Sequence, residues 1–277
     1  MRHLAFTVLL AGCSGPPQAP LGRLLIEEVY YAGAVPTAGA ERYYADQFVQ
    51  ITNASRQPVL AGGLMIGDAA GAAGEINPGM APDSYRERRP NKVVLANVWR
   101  VPGAPEDLVL EPGASLLIAH DGTSHQPQSP LDNSGADFET YVTAADRGGD
   151  EERDDDHPLV DNLIPVHYTA GFDWLVPVFG ASLVVLVPDA DLEELDVGWT
   201  SYQMAPNEHV IDGVDAVMDA DSAAFKRLPD AVDAGFAYVS GTYTGESIQR
   251  VRDGDELVDT NDSSNDFVVG VPDPYGP

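Results

Sequence analysis

Nearly every apolar stretch of this chain is short, rich in Val, Ile, Leu or Tyr, and closed by Gly, Pro, Asn or Asp. That punctuation predicts an all-β sandwich or barrel, because runs of this length suit strands and are too brief for core helices. Strands are expected over residues 24–31, 46–53 and 59–66, the last closed by Gly67-Asp68, and then over 92–101, 108–110 and 115–119. Pro112-Gly113 joins the last two of these, with Pro fixing φ and Gly accepting a positive φ. The run 183–187 is continuously apolar and reads as a strand buried on both faces. Further strands are expected at 210–217, 236–243 and 247–252, with a short helix at 222–228 capped by Ser222 and stopped before Pro229.

Two segments break this rhythm. Residues 68–90 read as a long loop carrying Arg86, Glu87, Arg88 and Arg89. Residues 120–160 include the most acidic stretch, 150–156, whose like charges predict a mobile, solvated surface loop. Loops of such length are uncommon and often functional. The tail from Val269 onward is proline-rich and reads as coil, and no repeat of fixed period is present.

Cys13 is the one cysteine of the chain. It follows a charged start at Arg2, an apolar core of about seven residues and the small pair Ala11-Gly12, the order of a secretory signal. The core is far shorter than the roughly 20 residues that span a bilayer. A cysteine at the cleavage point resembles the lipobox of bacterial lipoproteins, in which it is acylated and becomes the mature N-terminus. Residues 14–20, Ser-Gly-Pro-Pro-Gln-Ala-Pro, fit a flexible or extended tether. The expected partner is therefore a membrane, reached through the lipid, and the expected location is the outer membrane of a cell envelope.

The chain has 15 Lys+Arg against 44 Asp+Glu. Residues 1–12 contain Arg2 and no acid, so processing there leaves a formal charge of −30. Such a surface repels nucleic acid, which needs clustered Lys and Arg. An apolar fraction of 44% is still enough for a core, which burial alone must hold because one cysteine makes no internal disulfide.

The strands also line up with a family. Residues 25–33 followed by 46–53 (Asp-Gln-Phe-Val-Gln-Ile-Thr-Asn) resemble the opening of lamin-tail domains, and 64–68 fit that family's next strand. Leu110-Glu111-Pro112-Gly113 leading to Ile118, Val210-Ile211-Asp212-Gly213-Val214, Ser247-Ile248-Gln249-Arg250 and the closing Asp259-Thr260-Asn261 to Phe267 fit its later motifs in order. The same order resembles an uncharacterised DUF family of lamin-tail-like bacterial lipoproteins. The resemblance covers about 22–270 and leaves 120–180 unmatched. It implies an immunoglobulin-like β-sandwich with long loop insertions and a short helix, an exported module with no catalytic residues of its own. Gln50 stands where the family usually has Glu, which removes any charge-based role there. On this reading the chain divides into a signal at 1–12, a tether at 13–21, one sandwich domain at 22–270 with an insertion at about 120–180, and a coil tail at 271–277.

Asp259, Asn261, Asp262 and Asp266 are dense in oxygen ligands and form a candidate calcium site, although the sixth and twelfth positions counted from Asp259 are Ser264 and Gly270 rather than the Gly and Glu of an EF-type loop. An Asx-rich turn bonding its own backbone is the competing reading. Arg250 is expected to pair with Asp259 or Asp262 and pin the last turn. Tyr30, Tyr31, Tyr43 and Tyr44 either finish the core or present an aromatic patch to a carbohydrate or protein ligand. The six histidines show no zinc-binding spacing. Three functions follow: a non-enzymatic, lipid-anchored surface binding or structural module; a calcium-stabilised adhesion domain; and a hydrolase using Asp137, Glu139, Asp150 and His157 of the insertion.

Overall fold

The computed structural model describes residues 23–37, 42–146, 149–169, 171, 173–174 and 176–276. In chain order its strands are β1 (Leu24–Tyr30), β2 (Phe48–Asn53), β3 (Val59–Leu60), β4 (Met65–Ala69), β5 (Lys92–Arg100), β6 (Val109–Leu110) and β7 (Ser115–Ala119). Then come β8 (Phe138–Glu139), β9 (Asp161–Asn162), β10 (Ile164–His167), β11 (Ser182–Leu186), β12 (Glu193–Val197), β13 (Thr200–Pro206) and β14 (Val210–Asp215). The last are β15 (Ser247–Arg250), β16 (Arg252–Asp253), β17 (Glu256–Leu257) and β18 (Phe267–Gly270), with one short α-helix, α1 (Ser263–Asp266), just before β18.

Two seven-stranded sheets carry the fold. One runs β18-β15-β1-β2-β7-β8-β9, and the other β12-β13-β5-β4-β11-β14, with β10 pairing β5 beyond the end of β13. Alternation sets their facing sides. Leu24, Ile26, Val49, Ile51, Leu116 and Ile118 of the first sheet pack with Ile66, Trp99, Leu183, Val185 and Val214 of the second in one core. The protein is thus an all-β, sandwich-like fold.

The outer faces are covered as well, which explains the unbroken apolar run at β11. Val184 and Leu186 point away from the main core and pack with Leu95, Leu228 and Val232. On the first sheet Tyr30, Phe48, Leu117 and Ala119 are roofed by Leu131, Ala136 and Val160 of the 120–180 insertion. The insertion also adds β8 and β9, which join β7 in parallel.

Several sequence expectations need correction. The stretch 59–66 is two strands, because a turn bonds Leu64 N to Ala61 O at 3.1 Å. Gly67-Asp68 does not close the strand: both lie inside β4, where a Cβ on Gly67 would come within 2.8 Å of Asn97 O. Residues 236–243 make a single bridge, Ala216 to Ala237, rather than a strand. Glu246 accepts from Ser240 N and Oγ there and folds the segment into a turn. The 222–228 helix is a single 3-10 turn, Ser222–Phe225, entered from Asp221, so Ser222 is not its cap. The tail is strand as far as Gly270, where β18 pairs β15. The β12–β13 hairpin had no sequence expectation at all. It closes through Gly198 (φ +65°) and a fully exposed Trp199. The acidic stretch 150–156 is exposed at most positions, but Asp154 turns inward and is 8% exposed.

Candidate metal centre in the insertion

The signal at 1–12, Cys13 and the whole tether at 13–21 lie outside the described residues. The strand β1 that follows them begins with Leu24 beside Asn53, and β2 in turn sets Thr52 beside Ser115. At the other end of these strands Tyr30 pairs Phe48 and Phe48 pairs Ala119. A strand of this length spans roughly 20 Å. The chain therefore enters the first sheet at one end, and the loop that follows Ala119 leaves from the opposite end.

That far loop begins with His120 and Asp121. Among the described residues, Asp121, Asp154 and Asp173 each bring a carboxylate oxygen within 4.8 Å of the others. Three separate segments supply them. Asp121 follows β7, Asp154 is held by Val142 N donating to its Oδ2 at 2.7 Å, and Asp173 precedes the buried Trp174. Asp121 Oδ1 and Asp173 Oδ1 are buried without a hydrogen-bond partner. Burial, then the neighbouring carboxylates, push Asp121 up to about 7 and Asp173 up to about 9. Asp154 rises to about 7, chiefly through burial. The three sit at a pocket of about 250 Å³ that Arg42, Tyr43, Tyr44, Arg153 and Asp155 help to line.

Of the four tyrosines, two belong to the core and two line the acidic pocket. Tyr30 and Tyr31 are core: Tyr30 Oη donates to Asp46 Oδ2 at 3.0 Å, and Tyr31 Oη accepts from Val239 N at 3.2 Å. Tyr43 and Tyr44 border the acidic pocket. Tyr43 Oη meets His125 Nδ1 at 2.7 Å, while Asn133 Nδ2 lies 3.1 Å from His125 Nε2. Since the amide N–H donates, Nε2 accepts, and the neutral ring carries its proton on Nδ1 toward Tyr43. Burial lowers His125 to about 4, against the pull of Asp132 and the Asp121 backbone. The neutral ring's contribution to stability is present above the ordinary histidine pKa and is lost as pH falls toward 4. A side-chain NMR titration is expected to place the His125 midpoint near 4; a midpoint in the ordinary range near 6.5 would show that water reaches the ring.

The sequence-predicted calcium ligands are not drawn into one cluster. Asp266 is buried and accepts from Thr260 N and Oγ1 and from Asp262 N. Asp262 caps α1, accepting from Ser264 N at 3.0 Å. Asn261 holds a positive φ of 54°, and Asp259 lies 3.9 Å from Arg250. Arg250 is buried and pairs with carboxylates, but Asp262 is not its partner. Its NH2 lies 2.5 Å from Asp212 Oδ2, its Nε donates to Ile26 O at 2.6 Å and its NH1 to Val258 O at 3.0 Å, with Asp266 at 3.6 Å and the Phe267 ring beneath. Ile26 N in turn donates to Asp212 Oδ2 at 2.6 Å. Strand β15 pairs β1 at Glu28 and Val29, and at Ile26 the Arg250–Asp212 pair supplies hydrogen-bond partners in place of a strand.

The hydrolase candidates are likewise not assembled. Glu139 is fully buried and accepts from Gly122 N at 2.6 Å and His157 N at 2.7 Å, so both its oxygens hold backbone. Asp137 accepts from Leu117 N at 2.8 Å, and Asp150 is exposed. Of these four only Glu139 and His157 touch, and there it is the histidine backbone that donates.

An all-β molecule built on two seven-stranded sheets, whose insertion carries a largely buried carboxylate cluster, is the class the geometry defines. The model of DUF4876, a protein family of unknown function, matches residues 111–273, more than half of the chain, and the chain belongs to that family. Among solved structures it is similar to the crystal structure of a DUF4876 family protein from Bacteroides thetaiotaomicron VPI-5482, at 26% identity and a TM-score of 0.73, covering 90% of this chain and 71% of that one. No curated protein matches the chain.

Proposed function

We propose that this protein is an exported, lipid-anchored and non-enzymatic binding or structural module, tethered through Cys13 to the outer membrane of a cell envelope. The observation that carries this reading is the opposition of the two ends of the first sheet. The tether leads into β1 at the Leu24–Asn53 end, and the insertion loops with Tyr43 and Tyr44 gather beyond the Tyr30–Phe48–Ala119 end. A lipid anchor at the first end would hold the second away from the membrane, where a protein or carbohydrate ligand can reach it. The formal charge of −30 for the processed chain fits this orientation, because it disfavours close approach of the body to anionic lipid. Kinship with immunoglobulin-like lamin-tail domains belongs to the same proposal and is supported by the order of the strand motifs. The roles of Glu139 and Asp137 as acceptors of backbone N–H groups support a structural use of those carboxylates.

Labelled palmitate tests the anchor. Wild-type protein expressed in a Gram-negative host is expected to incorporate label and to sediment with membranes. Cys13→Ala is expected to lose both properties, and surface proteolysis of intact cells then reports which side the body faces. Equal labelling of the two proteins would overturn the anchor.

A further inference from the structure

We propose that Asp121, Asp154 and Asp173 form a binding site for a hard divalent cation of the calcium class, which ties three segments of the insertion together at the far end of the first sheet. The spacing is the first support. Calcium–oxygen distances are about 2.3–2.6 Å, so two oxygens on one ion lie at most about 5 Å apart. The three carboxylates already offer oxygens within 4.8 Å of one another.

The second support is independent of clustering. Asp121 is only 9% exposed, its side chain takes no hydrogen bond from any described residue, and its Oδ1 is wholly buried. An interior carboxylate oxygen without a donor is strongly unfavourable unless a proton or a cation meets it. Asp173 Oδ1 is in the same condition. The nearby guanidinium groups do not answer the need: Arg153 lies 3.7 Å from Glu151, Arg42 lies over the Tyr243 ring, and neither forms an ion pair with the three aspartates. The donor set decides the class of metal. All three ligands are carboxylates, which suits calcium, with magnesium next. Zinc prefers nitrogen and sulfur. The pocket of about 250 Å³ leaves room for the waters that would complete six to eight ligands.

The test uses the full chain purified in detergent, stripped with chelator and titrated with calcium, magnesium or manganese chloride at fixed ionic strength. Isothermal calorimetry is expected to show one saturable calcium site, and thermal melting a rise of several degrees. Asp121→Asn should weaken the binding at least about tenfold, because affinity in all-oxygen sites follows ligand charge. The same variant should melt no lower than wild type in chelator, since it removes a buried, unpaired charge; this keeps loss of binding separate from loss of fold. Asp259→Asn serves as comparator and should bind as wild type does. Absence of a saturable heat and of any cation-dependent shift in wild type would overturn the proposal. So would a site that survives Asp121→Asn or is abolished by Asp259→Asn.

Discussion

Replacing Arg250 with alanine is expected to destabilise the protein by about 3–5 kcal/mol, the range for removing one partner of a buried ion pair. In a chain of this length that corresponds to a fall in melting temperature of roughly 10 °C. The loss has three sources. The substitution strips Asp212, only 6% exposed, of its guanidinium, and it removes the donors that Ile26 O and Val258 O accept from. It also leaves a cavity above Phe267. Because Asp212 lies on β14 and Ile26 on β1, the pair joins the two sheets as well as the last turn. The double variant Arg250→Ala/Asp212→Leu removes the orphaned charge and should recover part of the loss, which denaturant unfolding of both proteins measures. A single variant within about 1 kcal/mol of wild type would show that the pair is not a principal link between the sheets.

The case of Arg250 also shows what the sequence could and could not convey. Its pairing with a carboxylate is legible, because an arginine in a strand just before the closing acidic residues has few other uses. Its main partner was not legible: Asp212 lies 38 residues away, and Asp259 and Asp262 are nearer in the chain. Strands β1, β2, β5, β7, β11 and β14 could be read because apolar residues and turn residues mark them directly. The β12–β13 hairpin escaped because it is an edge: Glu193, Glu194 and Asp196 face solvent, so no apolar alternation announces it. The two-residue turn at Gly198 was the available signal. The acidic pocket was hidden for a different reason. Asp121, Asp154 and Asp173 come from segments separated by some of the least regular sequence in the chain, and no spacing rule joins them. The charge run 150–156 stands out in the sequence, but composition alone cannot say that Asp154 turns inward while its neighbours remain in water.

Trp174→Ala is expected to cost about 3–5 kcal/mol, and it asks whether the insertion is an appendage or part of the core. Trp174 belongs to the insertion, within the span that the DUF4876 model matches, and it is 1% exposed and sits in the main core between the sheets. Its ring lies 5.8 Å from that of Trp99 on β5 and 5.1 Å from that of His120, the residue that leaves β7, so it links the second sheet to the exit of the first. Its Nε1 donates to Asp68 Oδ1 at 2.8 Å, which Asn97 Nδ2 also reaches at 2.9 Å. Alanine would remove the ring and leave the partly buried Asp68 with one side-chain donor fewer. Trp174→Phe separates these effects: it keeps most of the packing and loses the N–H, for an expected cost of about 1–3 kcal/mol. If the insertion is integral, fluorescence and circular dichroism will report one coincident transition in the wild type, and both will move to lower denaturant in the alanine variant. An alanine variant as stable as wild type would mean that the sandwich closes without the insertion. Since Asp173 is the preceding residue, the alanine variant should also lose the calcium-dependent rise in melting temperature, whereas the phenylalanine variant should retain it.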